Sequence, residues 1–325
     1  MYKNLLLVII IAIFAGCSAP KPEQTPGWYT NPPKDFKNFY AVAAASNEHK
    51  AKNIAINTLR QNINKDIESS LNSQNNKLSH DTKMFQEVMS TTAHLCNTFS
   101  MRNVKVKKQA LFNSQTLILV SIPREELFKK IQPDLDSKIK SLKEKYDNNK
   151  ESIAIERYVY LKTLMSQYAY LASRTAFAQI TVPTYNSNNN FRILRELADE
   201  YYALKSKVNF YVLSDLNSRI YSKAIRDALE KEGLSISNKN KDKNTLKLLI
   251  TSQTDNGQEY TFNVSKNLVK FTTFDADKNK ILFKQHTFIG KSRKNHKDAK
   301  IQTLGHINTK IKHLGIFNFI GIQSK

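Results

Sequence analysis

Between Ala51 and Leu71 the apolar residues fall in steps of three and four: Ala51, Ile54 or Ala55, Leu59, Ile63, Ile67 and Leu71. That spacing follows the 3.6-residue turn and gathers them on one face of a long amphipathic helix, which folds only against another apolar surface. The surface is available on both sides in sequence. Phe39-Tyr40-Ala41-Val42-Ala43-Ala44-Ala45 reads as a buried strand. Residues 104–112 and 116–122 are two β-rich runs whose connection, Asn113-Ser114-Gln115, reads as a hairpin turn. Ser46 is placed to cap the helix, with Glu48 in its first turn, where a carboxylate suits the helix dipole. A polar stretch, 72–81, then separates it from a second helix over 84–98. Residues 34–130 therefore predict an α+β unit.

Pro123 fits the first turn of a following helix, and residues 134–178 are strongly helical. The charged half, 138–150, is expected to be solvated. The second half carries a stripe of Tyr158, Leu161, Met165, Tyr168 and Leu171 or Ala172. Pro183-Thr184-Tyr185 and the asparagine-rich run behind it break the pattern. A return helix follows, with Ile193 or Leu194, Leu197, Tyr201 and Leu204 on one face. Two helices joined by a short polar loop make a hairpin, so residues 131–206 predict a helical arm. Seven of the fourteen tyrosines fall in it: Tyr158, Tyr160, Tyr168, Tyr170, Tyr185, Tyr201 and Tyr202. At helical spacing they predict packing between the two helices, and an aromatic surplus on a projecting hairpin would also suit docking or self-assembly.

Residues 207–325 predict a second α+β unit. Strands are expected at 208–213, 245–251, 260–264, 268–274 and 281–288, and helices at 218–232, stopped by Gly233, and at 299–313. The apolar run 316–322 reads as a final strand. The fold class is α+β throughout.

The amino terminus is organised differently. Lys3 precedes a ten-residue apolar run, Leu5 to Phe14, and Ala15-Gly16-Cys17 follows it. Ten helical residues span about 15 Å, half of a ~30 Å hydrocarbon core, so the run is too short to cross a membrane and suits a secretory signal. The sequence around Cys17 resembles a lipobox, with Phe14 where leucine is usual. The resemblance implies a signal peptide over 1–16 and lipidation of Cys17, whose thiol would take a diacylglycerol thioether and whose freed amine a further acyl chain such as palmitate. Residues 17–33 would then be a lipidated tether. Ser18 rather than Asp after the cysteine implies sorting to the outer membrane, with the protein expected on its periplasmic side. Cys96 is the one further thiol and is expected to be buried.

The opening of the mature chain resembles the LPP20 family of bacterial lipoproteins. Pro26-Gly27-Trp28-Tyr29, Asn31-Pro32-Pro33, the strand 39–45 with the helix after it, and Leu119-Val120-Ser121-Ile122-Pro123-Arg124 carry the likeness. It covers about residues 26–130. Ala43 stands where the family pattern usually has glycine. Such lipoproteins belong to the bacterial envelope, several are tied to flagellar or outer-membrane assembly, and most have no known enzymatic role.

Motifs for chemistry are sparse. The seven histidines form no HExxH pair; His306 and His313 share a helix face without a neighbouring carboxylate. There is no G-x-S-x-G, G-x-G-x-x-G or Walker A loop, and Asp275 and Asp277 read as turn residues. No catalytic residue, metal or cofactor is assigned, and the chain is not expected to be an enzyme. Charge is more informative. Fifty Lys and Arg against 28 Asp and Glu give +22. From Lys278 to Lys312 ten basic residues stand against one acid, Asp298. Lys291, Arg293, Lys294, Lys297 and Lys300 are the candidate contacts for an anionic surface. An envelope lipoprotein meets little nucleic acid, so anionic lipid headgroups or peptidoglycan carboxylates fit better as partners; a simply solvated surface in a chain rich in Lys throughout fits as well. The leading expectation is a structural or assembly lipoprotein with an envelope or flagellar protein partner, an oligomer being compatible with it. The alternatives are a binding module for an acidic envelope polymer or anionic lipid surface, and a regulator of a peptidoglycan synthase.

Overall fold

The computed structural model describes residues 24–78, 82–148, 150, 153–239, 245–275 and 279–323. The apolar run 5–14, Cys17 and its flank to residue 23 lie outside the described residues, as do Asp277 and Lys278.

Helix α2 (Glu48–Leu78) buries Ala51, Ala55, Leu59, Ile63, Ile67 and Leu71, none more than 2% exposed, whereas Ile54 is 48% exposed. The stripe therefore runs in strict steps of four. Each such step overshoots a full turn by about 40°, so the apolar face winds around the helix. A winding stripe needs neighbours on several sides. β1 (Asn38–Ala45) and β3 (Gln115–Pro123) cover it, and α3 (Thr82–Thr98) and α6 (Tyr168–Thr181) pack against it too. Asn47, not Ser46, caps α2: its Oδ1 accepts from the Lys50 N–H at 2.9 Å. The polar stretch expected to end α2 at residue 72 remains helical through Leu78.

The first sheet has the order β1-β3-β2, with β2 spanning Lys105–Phe112 and both pairings antiparallel. Ile118, Val120 and Ile122 of β3 join the core with α2. The alternate residues Leu117, Leu119 and Ser121 point to the other face, where they are also buried. The short helix α1 (Gly27–Thr30) rests on β3, so the Trp28-Tyr29 pair belongs to a structured element and not to a bare tether. Asn113 and Ser114 both hold positive φ, 46° and 58°, giving the two-residue turn whose twist suits a hairpin.

The helical region departs from a projecting arm. It comprises the end of α4 (Arg124–Asp147), then α5 (Ala154–Met165), α6 and α7 (Ser187–Lys207). Leu161, Leu171, Phe177, Phe191, Leu194 and Leu197 share one core with Leu59, Ile63 and Val120. Residues 34–130 and 131–206 are therefore not separate bodies: too many apolar side chains on α5–α7 need the sheet-and-α2 surface to bury them.

A second core lies under a five-stranded sheet of order β5-β4-β6-β7-β8. β4 (Asn209–Ser214) runs parallel to β5 (Ser235–Ile236) and to β6 (Thr245–Glu259). β6, β7 (Phe262–Phe274) and β8 (Lys280–Ser292) form an antiparallel meander. The two strands expected at 260–264 and 268–274 are one strand, and the reversal falls at Tyr260, whose φ is 51°. α8 (Arg219–Lys231) and α9 (His296–Leu314) cover one face. The final apolar run is not a strand. Gly315 and Gly321, both at positive φ, bracket a helical turn, α10 (Ile316–Ile320), that drives Phe317, Phe319 and Ile320 into the core. A buried run this short has no periodicity to separate turn from strand. Ile155, Tyr158 and Val159 of α5 also enter this core, so α5 contributes to both.

Candidate functional site

The basic residues singled out from the sequence sit where β8 hands over to α9. Lys291 and Ser292 still belong to β8, Arg293 to Asn295 form the connection, and Lys297 and Lys300 lie in the first turns of α9. Two local devices fix this junction. The Asn295 side chain accepts from the Asp298 N–H at 2.7 Å, capping α9. Gly290 lets α9 approach β8: a Cβ there would stand 1.8 Å from the Ala299 carbonyl oxygen. Asp298, the single acid in the linear count, is thereby spent on the helix N-terminus.

The five cations are not equivalent. Lys291 pairs with Glu259 at 2.7 Å, an acid brought from β6, two strands away. Arg293 lies 5.1 Å from the centre of the Phe262 ring. Lys294, Lys297 and Lys300 have no acidic side chain within ion-pair distance among the described residues. A linear charge count misses Glu259 because sheet pairing, not sequence proximity, delivers it. Among the described residues the junction thus presents four cations without an acidic partner.

The tyrosines turn inward to different degrees, Tyr158 and Tyr168 buried and the other five half-buried. Tyr158 stacks on Tyr201 at 5.3 Å and meets Phe317 edge-on at 5.9 Å. Tyr185 donates to Asp136 at 2.6 Å, Tyr160 donates to the Lys145 carbonyl at 2.7 Å, and Tyr170 donates to Asp134. The cluster therefore locks the helical layer and joins the two cores. Arg157, 3% exposed, completes this seam with bonds of 2.7 and 2.9 Å to Glu200 and others to the Asn148 and Tyr146 carbonyls.

Two concavities carry no mark in the sequence. A cavity of about 310 Å³ lies between the two cores, lined by Lys83, Tyr168, Tyr201, Tyr202, Lys205, Glu232 and Gly233 among others. A groove of about 440 Å³ runs beneath Pro32-Pro33-Lys34-Asp35, beside Asp66 and Arg124. Arg124 there lies 4.0 Å over the Phe39 ring and donates to the Ile180 carbonyl. Both are assembled from segments distant in sequence, so no local motif marks them. Cys96 is 3% exposed, and burial, with Glu68 nearby, pushes its thiol up to about 12. His306 and His313 lie exposed on α9.

No family model matches the chain, and no curated protein matches it. Solved structures give faint likenesses. The secreted protein HP1454 from Helicobacter pylori aligns over 86% of this chain and 98% of its own at 10% identity, with a TM-score of 0.34. A minor lipoprotein from Acinetobacter baumannii aligns over 35% of this chain and 96% of its own at 14% identity and TM-score 0.28. Lipoprotein GNA1162 from Neisseria meningitidis aligns over 33% of this chain and 99% of its own at 12% identity and TM-score 0.24. Scores at this level do not establish a shared fold.

Proposed function

We propose that the chain is a lipid-anchored envelope lipoprotein, attached through Cys17 to the outer membrane, with a structural or assembly role. The observation that carries the reading is the ten-residue apolar run followed by Ala15-Gly16-Cys17. Among the described residues no helix is long and apolar enough to cross a membrane, so an attachment to it would come from the amino terminus. The LPP20-like strings support the same reading, and α1 gives the Trp28-Tyr29 string a role as a brace on the first sheet. The chain's partner would be a protein of the envelope or of the flagellar base.

Photo-crosslinking in cells from position 294 tests the assembly role. A discrete protein adduct supports it; a deletion strain with normal envelope integrity and normal flagella counts against it. A second reading, capture of an acidic envelope polymer, is favoured by the four cations at the β8–α9 junction that have no acidic partner among the described residues. It predicts salt-sensitive retention on isolated sacculi. Retention unchanged after Arg293, Lys294, Lys297 and Lys300 become Ala would sink it.

A further inference from the structure

Among the described residues, helices cover only one face of the second sheet. α8, α9 and α10 pack against the face that carries Leu248, Ile250, Val269, Phe271 and Phe288. The opposite face is defined by the register: Lys247 pairs with Phe274, Leu249 with Thr272, Leu268 with Thr287, Lys266 with Ile289 and Lys270 with Gln285. Cross-strand partners share a face, so these residues form one open surface. Its apolar content is large for a surface left in water. Leu249, Leu268 and Phe274 are half-buried, while Phe283 and Ile289 are 45% and 47% exposed.

Its charge is one-sided. Lys247, Lys266, Lys270, Lys280 and Lys291 lie on it, against Asp255 and Glu259. Glu259 pairs with Lys291, and Asp255 faces Lys266 across the strands. Lys247, Lys270 and Lys280 are left over, and two of them lean on rings: Lys247 lies 5.6 Å from the Phe274 centroid and Lys280 4.4 Å from that of Phe283. A broad sheet face with aromatic and leucine side chains, framed by lysines whose stems lie along apolar surface, matches the interfacial zone of a bilayer. There rings enter the headgroup layer and ammonium groups meet phosphates. A second copy fits poorly, because apposing two such faces brings the same lysines together.

We propose that this open face docks on an anionic lipid surface, laying the second sheet flat against the membrane. The proposal rests on the lipoprotein reading for its setting: an anchor at Cys17 raises the local concentration of the face at the bilayer, so modest affinity suffices.

The test uses the full chain as isolated from membranes, carrying Thr287→Cys on the open face or Gln302→Cys on the exposed side of α9, each labelled with an environment-sensitive dye. Cys96 is too buried to compete for the label. The protein is added to vesicles of 30% phosphatidylglycerol in phosphatidylcholine, or of phosphatidylcholine alone, and exposed to iodide. The proposal expects the position 287 dye to be shielded at least threefold in the anionic vesicles, with shielding lost at high salt and absent at position 302. Lys247→Gln/Lys270→Gln/Lys280→Gln should abolish the shielding while leaving circular dichroism and melting unchanged. Equal quenching at 287 and 302 in anionic vesicles would overturn it, as would shielding that survives the triple change. Shielding that grows with protein concentration without vesicles would assign the face to a second copy and also overturn it. The intact mass of the same sample reports the acyl chains separately. A Cys17→Ser sample, unacylated and without a second exposed thiol, is added at higher vesicle concentration and faces the same expectations, so loss of the anchor reading and loss of the docking proposal are told apart.

Discussion

His286 shows how one side chain ties stability of the second core to pH. It is buried on β8, its Nε2 donates to the Phe319 carbonyl at 2.8 Å, and its ring stacks on Phe319 at 4.6 Å. Burial lowers its pKa, with Lys310 and Lys284 adding to the effect and the Phe319 carbonyl opposing it. The unfolded chain therefore binds a proton that the folded chain resists. Stability should fall as pH drops below about 6.5, the ordinary histidine value, and level off below the folded pKa. Denaturation of the parent and of His286→Gln between pH 5 and 8 checks this: the slope should be present in the parent and flattened in the variant. Cys96 makes a second residue-scale prediction. With its thiol pushed up to about 12 and 3% exposed, it should resist iodoacetamide in the native protein and react once denaturant unfolds the first core. Rapid native alkylation would contradict the packing described around α3.

At the scale of elements, the β2–β3 hairpin carries a local conflict. Ser114 holds φ 58°, a left-handed conformation that costs a side-chain-bearing residue about 1–2 kcal/mol. Ser114→Gly should relieve most of that and, after the greater freedom of unfolded glycine, stabilise the protein by about 0.5–1 kcal/mol. A thermal melt unchanged or lowered would show that the turn is set by something other than its own backbone. Elements with strong local signals were legible in the sequence: the four-residue stripe of α2, the hairpin, and Gly233 past the end of α8, at φ 79°. Those that failed lacked such signals. The run 316–322 is apolar on every side, so only Gly315 and Gly321 distinguish a buried turn from a strand. The helical arm failed for a different reason. Its stripes are packing faces, as their spacing predicts, but α2, on which they pack, lies far upstream, with Ser70 and Gln179 meeting across 109 residues.

At the scale of the whole molecule, two cores meet through the tyrosine seam, and α5 contributes to both. The basic junction was legible residue by residue. Its pairing with Glu259 was not, since only the β6–β7–β8 register brings that acid alongside. The open sheet face was equally invisible to a linear scan, because its lysines and aromatic residues are spread over three strands. The proposed role rests on the amino terminus, whose lipobox-like sequence would give the protein a route to the membrane. The intact mass of the protein recovered from cells tests that claim most directly. The account predicts a chain beginning at Cys17 and heavier than its sequence by a diacylglycerol and an acyl group, with Cys17→Ser unprocessed and unacylated. A mature chain that starts elsewhere, or one carrying an unmodified Cys17, would contradict it.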